Sequence, residues 1–224
     1  MRTKFDLVIF DCDGVLVDSE VISCRVHAEV LTRHGYPITA EQVRQRFLGR
    51  TSHDATREVE QELGRPLAKA YEAERQTTLL AALAESVEAI PHLHEALDII
   101  DLRRCVASSA VHEKIFTSLS RTKLYERFAP HIFSGSQVRH GKPAPDLFLF
   151  AAEQMKVPPA NCLVIEDSVA GVAGALAAGM MVFGYHGGSH CRPDTADTLC
   201  AAGAAVTFDD MRQLPDLIAR IGTV

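Results

Sequence analysis

The chain has 224 residues, of which 47% are hydrophobic and 23% charged, so it can form an apolar core and lacks the composition of a disordered chain. Its 29 acidic and 23 basic residues give a formal charge of −6, which argues against a broad nucleic-acid or anionic-membrane surface but is compatible with a small anionic substrate. The six cysteines contain no C-x-x-C pair. We interpret them as reduced thiols of a soluble, cytoplasmic protein: Cys12, Cys24, Cys105, Cys162, Cys191 and Cys200.

The first residues predict a buried strand. Residues 5–10 form a short apolar run that ends in aspartates and has no small-residue cleavage site, unlike a signal peptide. The longest uncharged stretch, Val169 to Cys191, contains six glycines and much alanine. It therefore predicts a helix followed by a strand, and no membrane span.

The next part of the chain predicts consecutive helices. Ile22, Val26 and Val30 repeat with helical spacing before Gly35, and residues 39–42 match a capping box. We find no strand pattern here, and acidic and basic residues balance. Four helices are expected. The predicted domains are an inserted helical domain at 19–86 and a core formed by 1–18 and 87–224.

After this insert, apolar runs alternate with helical patterns. The runs lie at 104–107, 162–165, 181–185 and 204–206, and the helical patterns at 113–119, 147–155, 169–178 and 211–221. Such alternation is typical of an α/β fold with a Rossmann-like parallel sheet covered on both faces.

Two pairs of carboxylates follow predicted strands. Asp11 and Asp13 come after the first, and Glu166 and Asp167 come after the run at 162–165. Ligands of open α/β sheets bind at this edge, and a divalent cation could hold such like charges together. Each pair alone also fits a structural role, the first as an Asp- and Gly-rich turn and the second as a helix cap.

Two further groups suit a phosphoryl ligand. Ser108, with the adjacent Ser109, follows a core strand and precedes a helix, and Lys142 precedes two prolines and another helix. Either could equally be a helix cap or a solvated lysine. Their weight comes from their order along the chain.

That order resembles the four motifs of the haloacid dehalogenase superfamily. The matching residues are Asp11-x-Asp13-Gly14-x-Leu16-Val17-Asp18-Ser19, Ser108, Lys142-Pro143 and Glu166-Asp167-Ser168-x-x-Gly171. The resemblance implies a Rossmann-like core with an inserted α-helical bundle as cap domain. It is nearest to phosphatases of the phosphoglycolate-phosphatase-like, β-phosphoglucomutase-like and 6-phosphogluconate-phosphatase kinds.

The resemblance also implies a mechanism. Asp11 would attack phosphorus and form an aspartyl phosphate, while Asp13 would protonate the leaving oxygen and then deprotonate water. Ser108 and Lys142 would hold the phosphoryl oxygens. The implied cofactor is Mg²⁺, with the Asp11 carboxylate, the Asp13 main-chain carbonyl, Asp167 and, directly or through water, Glu166 as ligands.

Three alternatives differ from a phosphatase. Dehalogenases lack the acidic residue found here at Asp13. β-Phosphoglucomutases usually carry a histidine where this chain has Ser23 and an arginine where it has Ser52, so an intramolecular phosphoryl transfer is the second choice. A catalytically silent phosphate-binding protein is disfavoured because every motif position is intact.

The expected partner is a small phosphorylated metabolite, of the sugar phosphate or phosphogluconate type, with no nucleic acid or membrane and at most weak self-association. Arg50 and His53 of the loop at 48–53 are candidate substrate contacts, although an arginine there is often simply solvated. We interpret His92 and His94 as surface residues, and His186 could at most line the entrance to the site.

Overall fold

The computed structural model describes residues 4–49 and 52–222. The chain divides into two compact units, Met1–Asp18 with Glu88–Val224, and Ser19–Val87. We refer to the first as the core unit and to the second as the helical unit. In the core unit, the segment that precedes the helical unit and the segment that follows it are paired antiparallel. Val17 pairs with Ala89, and Asp18 N donates to Glu88 O at 2.9 Å.

The core unit contains a six-stranded parallel sheet with the order β3-β2-β1-β4-β5-β6. Its strands are β1 (Leu7–Phe10), β2 (Arg103–Ser108), β3 (Ile132–Ser134), β4 (Cys162–Glu166), β5 (Met181–Tyr185) and β6 (Val206–Phe208). Strand order reverses at β1, whose neighbours are β2 on one side and β4 on the other. Open α/β sheets bind ligands at such a reversal.

The helical unit contains four helices in its described residues. They are α1 (Glu20–Arg33), α2 (Ala40–Phe47), α3 (Ser52–Leu63) and α4 (Tyr71–Ser86). The Thr39 side chain accepts from Gln42 N and the Gln42 side chain bonds back to Thr39 N, which is the predicted capping box.

The sheet is covered by the helices of the core unit. These are α5 (Leu93–Ile99), α6 (His112–Arg121), α7 (Tyr125–Phe128), α8 (Asp146–Met155), α9 (Val169–Ala177), α10 (Thr195–Ala201) and α11 (Leu214–Gly222). Leu7 and Ile9 pack in one cluster with residues of α8 and α9, whereas Phe10 contacts Phe128 of α7 from the other side. Because successive strand residues point to opposite faces, both faces are buried, and the predicted α/β architecture is confirmed.

Several elements differ from the sequence prediction. The prediction missed β3, which has three residues and is too short to show a period, and also α5, α7 and α10. It placed the last strand at 204–206, but β6 begins at Val206. The predicted helix at 211–221 is a 3₁₀ turn followed by α11, since the Asp210 side chain caps a first turn that ends at Gln213.

No helix among the described residues is long and apolar enough to cross a membrane.

Candidate active site

The four predicted motifs converge at the carboxyl edge of the sheet in the core unit. The register pairs Phe10 with Val106 and with Ile165, so Asp11, directly after β1, lies between the ends of β2 and β4. Asp11 N donates to Ile165 O at 3.0 Å, which continues the strand pairing by one residue. The nucleophile candidate is therefore held by backbone hydrogen bonding where the strand order reverses.

Lys142 joins the end of β1 to the end of β4. Its Nζ donates to Asp11 Oδ1 at 2.5 Å, to Glu166 Oε1 at 2.6 Å and to Ala107 O at 2.9 Å. All three charged side chains are nearly inaccessible, with 4% of Lys142, 9% of Asp11 and 1% of Glu166 exposed. Three acceptors satisfy the three ammonium hydrogens, which is the condition for burying such a charge.

Burial and neighbouring carboxylates shift the pKa values of this cluster. Burial raises the pKa of Asp11, and Glu166 and Asp167 raise it further, while Lys142 opposes the shift. Burial disfavours charged Lys142, but Asp11 and Glu166 outweigh that effect and raise its pKa. Asp11 therefore requires a cationic neighbour to stay ionised in this setting.

Glu166 is engaged by both of its oxygens. Oε1 accepts from Lys142, and Oε2 accepts from the backbone N–H groups of Asp167 and Ser168 and from Ser168 Oγ. A Cβ added at Gly171 would lie 1.9 Å from the Glu166 carboxyl, so only glycine leaves room for this side chain. This arrangement favours Glu166 as the anchor of Lys142 and of the start of α9 over a direct metal ligand.

Asp13 forms an ion pair that the sequence analysis missed. Lys114, in the first turns of α6, places Nζ 2.8 Å from Asp13 Oδ1, and both side chains are mostly buried. The available signal was the position of α6, which starts at the same edge of the sheet where β2 ends. A basic residue early in that helix lies near the site for geometric reasons.

Asp167 is contacted by a second residue that the sequence analysis missed. His190 Nε2 lies 3.0 Å from Asp167 Oδ2, with both side chains below 10% exposed. Burial disfavours a charged imidazole, but the hydrogen bonds with Asp167 and Cys191 raise the pKa of His190 above its usual value. The prediction singled out His186 in this loop, whereas the two glycines before His190 were the usable signal of a close approach.

The serine motif ends β2. Ser108 is buried, and its Oγ accepts a hydrogen bond from Ala110 N at 3.1 Å, which shapes the turn before α6. Ser109 is exposed, and its backbone lies against Gly135.

The donor set of this edge suits Mg²⁺. Among the described residues, no group of three or more His, Cys, Asp and Glu side chains is arranged as a ready metal cluster. Mg²⁺, however, usually takes one or two carboxylates together with water and substrate phosphate. Asp11 and Asp167 supply such carboxylates, and the like charges that raise the pKa of Asp11 are those a divalent cation would offset.

The remaining candidates lie elsewhere. Arg50 falls outside the described residues. His53, predicted to lie in a loop, is in the first turn of α3 in the helical unit, and its side chain is 84% exposed. His92 is exposed and pairs with Glu95, as predicted for a surface residue, whereas His94 is half-buried and its Nε2 bonds to Thr122 O, both within the core unit. His186 is partly buried after β5.

Comparisons with known proteins agree with the motifs. The sequence matches the haloacid dehalogenase-like hydrolase family over residues 5–179. The 6-phosphogluconate phosphatase of Escherichia coli K12 is 33% identical over 216 residues, which cover 96% of this chain and 95% of the relative.

Two solved structures share the fold over nearly the full length. A conserved haloacid dehalogenase-like protein of unknown function from Agrobacterium tumefaciens is 40% identical, with a TM-score of 0.87, over 98% of this chain and 100% of the other. A family hydrolase from Deinococcus radiodurans with bound phosphate and sodium is 32% identical, with a TM-score of 0.81, over 98% of this chain and 97% of the other. The chain therefore belongs to the haloacid dehalogenase-like hydrolases, and the prediction that it is a phosphatase is confirmed.

Proposed function

We propose that this protein is a cytoplasmic, Mg²⁺-dependent phosphatase of a small phosphorylated sugar or sugar acid, and that it acts through an aspartyl phosphate on Asp11. The observation that carries the proposal is the buried Lys142 between Asp11 and Glu166 at the reversal of strand order. A phosphoryl group bound there would meet a carboxylate and an ammonium group excluded from water, where electrostatic effects are strong.

Asp11 would attack phosphorus while the ester oxygen leaves, so that one displacement is divided into two easier steps. Asp13 would give its proton to the leaving oxygen and later accept one from the attacking water. Ser108 would bind a phosphoryl oxygen, and Lys142 would exchange one of its present acceptors for another such oxygen, so that the group is oriented for in-line attack. Bound Mg²⁺, held by Asp11, the Asp13 main-chain carbonyl and Asp167, would offset the negative charge of these carboxylates and the phosphoryl group.

The substrate class rests on the relatives. One relative is named for 6-phosphogluconate, and one solved relative contains phosphate. We assign Ser109, Arg50 and His53 as further substrate contacts, and the partner as a small metabolite bound by a monomer or weak oligomer without nucleic acid or membrane. The net charge of −6 supports the absence of a nucleic-acid or anionic-membrane partner.

The test is phosphate release from a panel of sugar phosphates, 6-phosphogluconate, phosphoglycolate and nucleotides, with Mg²⁺ or with chelator. We expect metal-dependent release from a few sugar phosphates or sugar acids, and none from Asp11→Asn. Asp6→Asn is a matched control, because Asp6 is an exposed carboxylate at the opposite end of β1, bonded to Asn161. Full activity of Asp11→Asn would contradict the proposal.

The same panel distinguishes the second choice. β-Glucose 1-phosphate is included, and the products are searched for glucose 6-phosphate. Isomerisation without phosphate release would support a mutase, whereas no turnover of any member would support a silent binder.

A further inference from the structure

The loop after β5 reaches the candidate site at two points. Ser189 donates to Asp18 Oδ1 from its Oγ at 2.7 Å and from its backbone N at 3.3 Å. The next residue, His190, contacts Asp167. A loop that none of the four motifs includes is thus attached both to the segment after β1 and to the segment after β4.

His190 occupies a slot formed by two glycines. A Cβ added at Gly188 would lie 2.7 Å from His190 Cε1, and one added at Gly14 would lie 2.8 Å from the same atom. The Cβ at Gly14 would also lie 2.0 Å from Asp167 Oδ2. Any side chain at either glycine would displace the imidazole, and at Gly14 it would displace the carboxylate as well.

We propose that His190 is a positioning residue for Asp167, which fixes the carboxylate through Oδ2 so that the same carboxylate can bind Mg²⁺. This inference rests on the proposed function, which makes Asp167 a metal ligand. A ligating carboxylate that is already held by a neighbour loses less side-chain freedom when the cation binds. Loss of such an outer partner typically weakens metal affinity by about 10–100-fold.

The contact also restricts the carboxylate geometrically. The imidazole approaches Asp167 from the side of Gly14 and Gly188, both in the core unit, so the side chain cannot rotate into that space. Without the ring, the slot would be empty, and the Asp167 carboxylate could rotate into it. His190 therefore acts through Asp167 and is not assigned a contact with substrate.

The experiment measures Mn²⁺ affinity by electron paramagnetic resonance and Mg²⁺ affinity by calorimetry, without substrate. We expect His190→Ala to weaken both by about 10–100-fold. His190→Gln, whose amide can still donate to Asp167, should restore much of the affinity. Ser189→Ala is the matched control, since it removes the Oγ bond to Asp18 from the same loop, keeps the backbone bond, and leaves His190 in place.

Each outcome decides the inference. Unchanged affinity in His190→Ala, or an equal loss in Ser189→Ala, would overturn it, the latter because loop attachment alone would then explain the effect. Should circular dichroism show that His190→Ala is unfolded, His190→Leu takes its place. It fills the slot without a donor, so we expect it to lose the part of the affinity that the hydrogen bond supplies, and unchanged affinity would overturn the inference.

The phosphate assay is kept separate. If the protein binds Mn²⁺ but releases no phosphate, the proposed function is wrong. The Mn²⁺ and Mg²⁺ affinities of the variants would still decide the role of His190. Absence of Mn²⁺ binding by the unaltered protein would overturn the inference whatever the assay gives.

Discussion

The two units of this chain use charged side chains in opposite ways. In the core unit, Lys142 is sealed between Asp11 and Glu166, and no more than 9% of any of the three side chains is exposed. In the helical unit, Arg46 binds Glu58 and Glu62 with 32–47% of each side chain exposed. Both sites pair one basic side chain with two carboxylates, but only the site in the helical unit is accessible to solvent.

This difference separates functional charges from structural ones. Burying an ion pair costs desolvation that its attraction often fails to repay, so a protein gains little stability from it. Exposed pairs cost little and contribute little. The buried cluster at the sheet edge is therefore better explained by chemistry on a phosphoryl group than by stability, and the exposed network by the surface packing of helices.

Lys142→Met should have the largest effect. We expect phosphatase activity to fall by about 100-fold or more, because an electrostatic contact to the phosphoryl group is lost. Stability at pH 7 should fall by about 3–5 kcal/mol, because buried carboxylates lose their partner. Phosphate release and urea unfolding measure the two losses, with Lys69→Met, an exposed lysine of the helical unit, as control.

The stability loss should depend on pH. Lys142 holds the pKa of Asp11 down, so its removal raises that pKa further in the folded state. A folded state with a raised carboxyl pKa binds more protons than the unfolded chain, and lowering the pH then favours folding. The loss in Lys142→Met should therefore be smaller at pH 5 than at pH 7. An equal loss at both would show that Asp11 is not in this electrostatic contact.

The variants Gly14→Ala and Gly64→Ala compare how much stability each unit loses when a Cβ is added at a glycine with positive φ. Both glycines have positive φ, +83° and +66°, but a Cβ at Gly14 would meet Asp167 and His190, whereas at Gly64 it meets nothing among the described residues. The backbone strain, about 1–2 kcal/mol, is common to both. Gly14→Ala should lose about 1–3 kcal/mol more, as overpacked sites do, together with phosphatase activity. Equal unfolding curves for the two variants would contradict this.

Much of the core could be predicted from the sequence because its signals are local. Each motif lies within a few residues of an apolar run, so Asp11, Ser108 and Asp167 could be placed at strand ends without coordinates. Lys114 and His190 have only indirect signals in the sequence, an early position in α6 and two nearby glycines, since each reaches its carboxylate from an element distant along the chain. Their identification needs the packing of α6 and of the loop after β5.

The helical unit has a partly buried titratable group of its own, His27. Burial, assisted by Arg75, lowers its pKa from the usual 6.5 to about 4. The ring lies near Phe47 and Tyr71. Between pH 6.5 and 4, His27 therefore binds a proton in the unfolded chain but not in the folded unit. Folding stability is lost as the pH falls through this window.

Between pH 7 and pH 5, this loss should be at most about 2 kcal/mol. His27→Leu should show less of it, as measured by denaturant unfolding at the two pH values. His53→Leu is the control, because that imidazole is 84% exposed. The assignment fails if both variants keep the pH dependence of the unaltered protein.

Arg46→Met should have the smallest effect, although Arg46 has more partners than most surface residues. Its guanidinium bonds to Tyr36, Glu58 and Glu62 and lies 4.9 Å from the Phe47 ring. Because these groups are hydrated and methionine keeps the apolar stem, we expect a loss of about 1 kcal/mol or less. High salt should reduce it in urea unfolding, as it screens exposed pairs. A loss as large as that of Lys142→Met would mean that exposure does not separate the two kinds of charge.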